Sequence, residues 1–269
     1  EQKTEEPKET AETVENPDED AIPENFRELF SMEADGINYL SIEGIEVPEG
    51  TAISMVGKDS ASSFWKRVKA GAEQAVADLN EALGYTGNAK VKVTYDAPAK
   101  ESVSEQIDII DQMLDKNPDA LIVGYIDVNS GKTQLELAES NGVPVFAVDS
   151  SIQNSLIETE TKTDNYKAAA EAAAKLCEAI GDSGEVALLV HNSETETGIE
   201  REKGFREEIE QNHPNVQIID TTYVNQDERS AEEIVAAVMA EHPELKAYFG
   251  TNDNVTRVLA TVVSKFALE

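Results

Sequence analysis

Cysteine occurs once in 269 residues, at Cys177, tryptophan once, at Trp65, and histidine three times. A single thiol excludes an intramolecular disulfide and any multi-cysteine metal site. Its place in the alanine-rich run from Tyr166 to Cys177 predicts a small buried hydrophobe on a helix. Basic residues are scarce as well: 22 Lys and Arg stand against 54 Asp and Glu, giving a net charge of −32 and a pI near 4.3. Such a surface repels nucleic acid and anionic membranes, so no nucleic-acid partner is expected. No apolar run reaches the roughly 18 residues that a membrane-spanning helix needs. The stretch Glu1 to Glu5 has neither the basic nor the apolar region of a secretory signal, so the chain reads as cytosolic or as having lost its targeting segment. Catalytic signatures are missing too. There is no glycine-rich dinucleotide turn, Walker loop, Gly-x-Ser-x-Gly elbow or His-Glu-x-x-His helix. Carboxylate pairs signify little in so acidic a chain, and no enzyme activity, cofactor or metal is expected.

What remains is ample for a folded core, with 40% hydrophobic residues, unevenly spread. The first fifty residues carry sixteen acidic and three basic side chains, and the first twenty are almost devoid of apolar ones. Residues 1–25 read as a flexible acidic tether, because such a segment cannot bury enough surface to offset the entropy of ordering. Residues 26–50 contain Phe26, Leu29, Phe30, Ile37 and Leu40 and read as an extension packing on the domain.

From Thr51 a rhythm begins. Thr51–Val56, closed by Gly57, predicts a buried strand, and Phe64, Val68, Ala72 and Val76 share a helix face. Strands follow at 90–96, 120–124 and 143–148, and helices at 101–116 and 131–141. This alternation predicts right-handed crossovers and a parallel sheet. Residues 150–161 are polar and without period, and there the chain is expected to leave the first sheet, between a first lobe at 51–150 and a second at 163–269. There Asp164 caps a helix to Ile180, strands are predicted at 185–190, from 216–219 with an extension to Val224, and at 245–250, and helices at 196–213, 230–241 and 254–266. The second array lacks a closing strand. The fold class is α/β, two similar lobes with parallel sheets flanked by helices, the second incomplete.

In open parallel sheets the functional side chains gather just past the carboxyl ends of strands. Those positions are 58–65, 125–129, 149–150, 191–197 and 251–253. They hold hydroxyl, amide and carboxylate groups, and adjacent aromatics at Phe64 and Trp65. Neighbours on a helix diverge by about 100°, so one of these two aromatics is free to line a pocket. The alternative is that both merely pack the helix. Such a set suits hydrogen bonding to a neutral polyol better than catalysis. Asp149 and Asp253 could each accept hydroxyl protons or cap the next turn. Arg201 lies early in its helix, against the dipole, and either reaches a ligand or pairs with Glu194 or Glu196. His191 follows a strand and is a further candidate.

Several segments in this order and spacing resemble the periplasmic-type sugar-binding proteins of bacterial ABC importers, the ribose- and galactose-binding class. They are Ser62–Ala72, Asn141–Asp149, Thr163–Tyr166, Arg201–Phe205 and Tyr248–Asp253. The resemblance spans about residues 51–266. It implies two Rossmann-like lobes, joined by a hinge crossover at 151–162 and closing on a monosaccharide or small glycoside, with a membrane permease as partner and a monomeric state. The ligand-binding set it completes is Ser62, Phe64, Trp65, Asp149, Ser150, His191, Arg201, Asn252 and Asp253, in which the aromatics sandwich the sugar ring and polar groups read its rim. Residues 1–25 look like the linker of a Gram-positive lipoprotein without its lipidated cysteine, which implies an extracellular, membrane-tethered location. Related readings are a sensor domain for a kinase or chemoreceptor and, against the acidic N-terminus, the effector domain of a LacI-type regulator. Ser62-Ser63 stand where ribose binders have Asn-Pro, Ser150 where they have arginine, and Ala169 where glycine is usual, which leaves the sugar unassigned. The resemblance further implies that a strand, an aspartate-bearing loop and return crossings are missing beyond Phe266. Ala267-Leu268-Glu269 reads as the junction to a cloned tag.

Overall fold

The computed structural model describes residues 33–34, 37–38 and 44–266. The expected tether at 1–25 and much of the extension at 26–50 lie outside them. Strands β1 (Glu33–Ala34) and β2 (Ile37–Asn38) pair antiparallel.

Two parallel sheets follow. The first is ordered β4-β3-β5-β6-β7 and comprises β3 (Ala52–Val56), β4 (Lys92–Asp96), β5 (Ala120–Val123), β6 (Val145–Val148) and β7 (Ile157–Thr161). Its crossovers are α1 (Ser63–Leu83), α2 (Val103–Leu114) and α3 (Lys132–Ser140). Strand β7 corrects the reading of 151–162 as a crossover alone, since it pairs parallel with β6 along Val145–Val148. It escaped the pattern because it is an edge strand. Glu158, Thr159, Glu160 and Thr161 are all exposed, and polar side chains on an edge guard against pairing with other chains while erasing the apolar alternation.

The second sheet is ordered β10-β8-β9, from β8 (Gly184–Val190), β9 (Val216–Tyr223) and β10 (Leu245–Gly250). Helices α4 (Asn165–Ala179), α5 (Glu196–Asn212), α6 (Ala231–Glu241) and α7 (Asp253–Phe266) flank it. Strand β8 is buried on both faces, which is why it reads as one apolar run. Val186, Leu188 and Val190 meet Ala169, Ala173, Cys177, Phe205 and Ile209 on one side. Leu189 meets Ile234, Val235, Val255 and Leu259 on the other. Cys177 is fully buried, as expected of a small core hydrophobe. Asp164 caps α4 through the Lys167 amide, also as expected.

The first sheet is covered unequally. Val56, Leu121, Val123 and Val145 are buried beneath Ile110, Met113, Leu114 and Leu135 of α2 and α3. On its opposite face Ile53, Ile122, Phe146 and Val148 are only half-buried. Helix α1 contributes nothing to that cluster, and the aromatic it buries is Trp65, not the Phe64 that spacing suggested. Farther along α1, the buried Asn80 acts as a surrogate strand partner. Its amide donates to the Val91 carbonyl, and its carbonyl accepts from the Val91 N–H. Among the described residues no helix is long and apolar enough to cross a membrane.

Candidate ligand-binding cleft

The carboxyl ends of β3, β6, β8 and β10 lead into one cleft of about 340 Å³ whose walls come from both sheets. In each sheet a central strand, β3 or β8, is flanked by partners reached in opposite directions, which is where a crevice opens.

The first wall is built around Trp65. Its indole, 3% exposed, lies against the backbone of Gly57 and Gly124, the residues that follow β3 and β5. A Cβ on Gly124 would stand 2.3 Å from the ring, and one on Gly57 2.9 Å, so only glycine admits the indole here. Gln106 of α2 holds this cradle together. Its buried amide donates to the carbonyls of Gly57 (2.9 Å) and Gly124 (2.7 Å) and accepts from the Ile126 N–H (3.1 Å). Phe64 stands edge-on to Trp65, 5.5 Å between centroids at 90°, and is 42% exposed on the cleft. One of the adjacent aromatics is therefore solvent-facing, as expected. The other belongs to core and cleft at once.

Ahead of them Asp59 accepts from the amides of Ala61 and Ser62, shaping the turn into α1. Ser62 occupies the N-cap position without capping through its side chain, and it lines the cleft. Asp149, just past β6, has φ of +64°, a left-handed conformation that aspartate tolerates better than most residues but which costs energy. Its carboxylate meets the Lys58 ammonium at 2.8 Å. The turn at Asp149 sends its neighbour inward. Ser150 is 1% exposed, accepts from the Tyr125 N–H through its carbonyl and, unlike the other residues expected to bind ligand, does not line the cleft.

The second wall is more polar. His191 donates its backbone N–H to the Thr251 hydroxyl (2.9 Å), and its Nδ1 lies 2.7 Å from the same oxygen. Burial, with Lys58 and Arg201 nearby, pushes the His191 imidazole down to about 3, so it is neutral at physiological pH. Arg201 donates through Nε to Asn165 (2.8 Å) and through Nη1 to the Thr251 carbonyl (2.7 Å). It forms neither of the ion pairs anticipated with Glu194 and Glu196. Burial lowers the pKa of its guanidinium, and Asp149, Asp253 and Glu200 oppose that shift. Glu196 instead accepts from the Ser151 N–H (2.7 Å) and pairs with Lys162 across the connection between the sheets. Asn252 and Asp253 complete the wall.

Eight of the nine residues expected to bind ligand thus face one cleft. Lys58, Asp59, Ser63 and Thr197 fall inside the loop windows flagged by strand ends but were not singled out. Arg67, Glu101, Asn254 and Arg257 lie beyond those windows, on or just before helices. The window at 125–129 does not line the cleft. Glu101 also bridges the walls, accepting from the buried Asn192 amide at 2.8 Å. The lining holds four cationic and four acidic side chains, a balance very different from the 22 to 54 of the whole chain. Among the described residues, the one group of His, Cys and carboxylate side chains close enough to share a metal, Cys177, Asp182 and His213, lies outside it.

A family model described as a periplasmic binding protein domain matches residues 53–266. The ribose import binding protein of Bacillus subtilis is 26% identical over 157 residues, which are 58% of this chain and 50% of that protein. A D-apiose import binding protein of Actinobacillus succinogenes is 24% identical over 205 residues, 76% of this chain and 62% of that one. The chain therefore spans between half and two thirds of the length of these curated relatives. An ABC transporter solute binding protein from Agrobacterium vitis, solved with α-D-tagatopyranose, superposes with a TM-score of 0.72 at 24% identity, over 81% of this chain and 72% of that one.

Proposed function

The chain belongs to the periplasmic binding protein domain family, and from that premise we propose that it captures a monosaccharide or small glycoside for an ABC importer. The observation that carries this reading is the cleft itself: an aromatic wall of Phe64 and Trp65 faces a polar wall of His191, Arg201, Asn252 and Asp253. Aromatic faces suit the C–H faces of a sugar ring, and charged and amide groups suit its hydroxyl rim. Charge-assisted hydrogen bonds of this kind contribute about 1.5–3 kcal/mol each. A volume of about 340 Å³ suits a small ligand rather than a long oligosaccharide.

No reaction is required. Ligand held by both walls stabilises the closed arrangement, and a closed receptor is what a membrane permease would recognise. In the same reading the protein acts outside the cell, as a monomer, with the acidic N-terminal segment as the linker of a membrane-anchored lipoprotein. Titration of D-ribose, D-allose, D-tagatose and D-galactose, followed by emission of the lone Trp65, tests the proposal. A saturable change with one sugar supports it. Silence with every sugar, backed by a flat calorimetric trace, overturns it.

A further inference from the structure

The cleft opens at the carboxyl ends of the strands, and at the other edge of the second sheet, where β8 and β9 begin, the end of α4 meets the end of α5. Three donor atoms converge at that junction. The Cys177 thiol, a carboxylate oxygen of Asp182 and a ring nitrogen of His213 all lie within 4.8 Å of one another. The backbone is shaped to bring them together. Gly181 and Asp182 both take left-handed φ, +78° and +57°, so the chain folds back over the end of α4 and the Asp182 N–H donates to the Cys177 carbonyl at 2.8 Å. His213 ends α5, with its Nδ1 paired to the Asp182 carboxylate. Its Nε2 is buried without a hydrogen-bond partner, and a Glu208 oxygen lies 3.5 Å away. A helix end by itself does not account for this set. His242 ends α6 in the same way and also precedes a proline, yet its ring has no hydrogen bond or ion pair among the described residues.

We propose that Cys177, Asp182 and His213 form a binding site for a divalent ion of the zinc type. Thiolate, imidazole and carboxylate are the donors zinc takes, and bonds of about 2.0–2.3 Å set its tetrahedral ligands about 3.5 Å apart. Donors already within 4.8 Å need little contraction. The ion takes the place of the proton between His213 Nδ1 and Asp182, whose side chain is 58% exposed and can swing outward to make room. The Nε2–H then faces Glu208, and a carboxylate in that position commonly orients a ligating imidazole. Calcium and magnesium prefer oxygen donors throughout, so a site with a thiol and an imidazole discriminates against both. The thiol gives up its proton on binding, so affinity rises with pH. A bound ion ties α4 to α5 at the base of the second lobe and stabilises that lobe without touching the cleft. One cysteine predicts no metal from the sequence, because His213 lies thirty-six residues beyond Cys177 and only the packing of the two helices joins them.

Cobalt(II), a coloured substitute for zinc, tests this on the full chain after dialysis against a chelator. The expected result is one equivalent bound, with a thiolate-to-cobalt charge-transfer band in the near ultraviolet and the intense visible bands of a tetrahedral ion, both erased by one equivalent of zinc. Cys177→Ala should abolish the charge-transfer band, and His213→Gln and Asp182→Asn should each weaken cobalt binding at least tenfold. A chain with a net charge of −32 also gathers cations loosely, so uptake without the thiolate band overturns the proposal. So does cobalt affinity that stays the same in His213→Gln. Cys177 is packed in the core, so Cys177→Ala is first checked for cooperative urea unfolding; if it is not folded, the His213→Gln titration decides. Zinc should also raise the urea midpoint of wild type and leave that of His213→Gln unmoved, and an equal rise in both would refute the site. These outcomes do not depend on which sugar, if any, enters the cleft.

Discussion

The two adjacent aromatics separate binding from folding, and substituting each in turn makes that separation measurable. Phe64 is 42% exposed and rests edge-on against Trp65. Its truncation in Phe64→Ala forfeits that contact and part of a side chain, about 1 kcal/mol of stability. It also removes the surface a sugar would cover. Completing the burial of a phenylalanine contributes roughly 1.5 kcal/mol, and 1.4 kcal/mol is a factor of ten, so Kd should rise about tenfold. Trp65, at 3% exposure between Gly57 and Gly124, behaves differently. Trp65→Ala empties a core site and should cost about 3–5 kcal/mol of folding stability as well as affinity. Calorimetric titration with the sugar that saturates wild type, alongside urea unfolding, reads both quantities. A Phe64→Ala protein that binds within twofold of wild type would refute the aromatic wall. One that unfolds as readily as Trp65→Ala would refute the division of roles.

Three further outcomes are expected. Gly124→Ala places a methyl group 2.3 Å from the indole and 3.0 Å from the Val148 carbonyl, so it should lose about 1–3 kcal/mol and shift Trp65 emission; unchanged emission and stability would contradict the cradle. His191 titrates near 6.5 when unfolded and near 3 when folded, so below pH 6.5 only the unfolded chain takes up the proton. Stability should therefore be unaffected by this group above pH 6.5 and fall by about 1.4 kcal/mol per pH unit below it, roughly 2 kcal/mol by pH 5. In His191→Gln the urea midpoint should lose that part of its pH dependence, and identical slopes would refute the buried neutral imidazole. Glu101→Ala strands the Asn192 amide, which is 4% exposed, and should cost about 1–3 kcal/mol in urea unfolding; an unmoved midpoint would show that the link across the cleft carries no energy.

Much of this protein is written locally. Runs such as Val186–Val190 and Leu121–Val123 could only be buried strands, and the helices between them show their apolar faces. Strand ends then place Trp65, Asp149, His191 and Asn252 near one another without reference to their contacts. Strand β7 was not legible, because an edge strand with exposed threonines and glutamates has no apolar period to betray it.

The sequence by itself determined the alternation of strand and helix, the parallel sheets and therefore the edge on which the cleft opens, because apolar period and chain handedness act over short distances. Only the tertiary structure decided which of Phe64 and Trp65 enters the core, that Ser150 turns inward, and that Lys58 rather than a nearer residue meets Asp149. Those outcomes depend on backbone approaches at Gly57 and Gly124, on the left-handed turn at Asp149 and on Gln106 tying two strand ends together. Each joins segments distant along the chain, and no local pattern encodes which of several polar side chains will meet when the sheets are assembled.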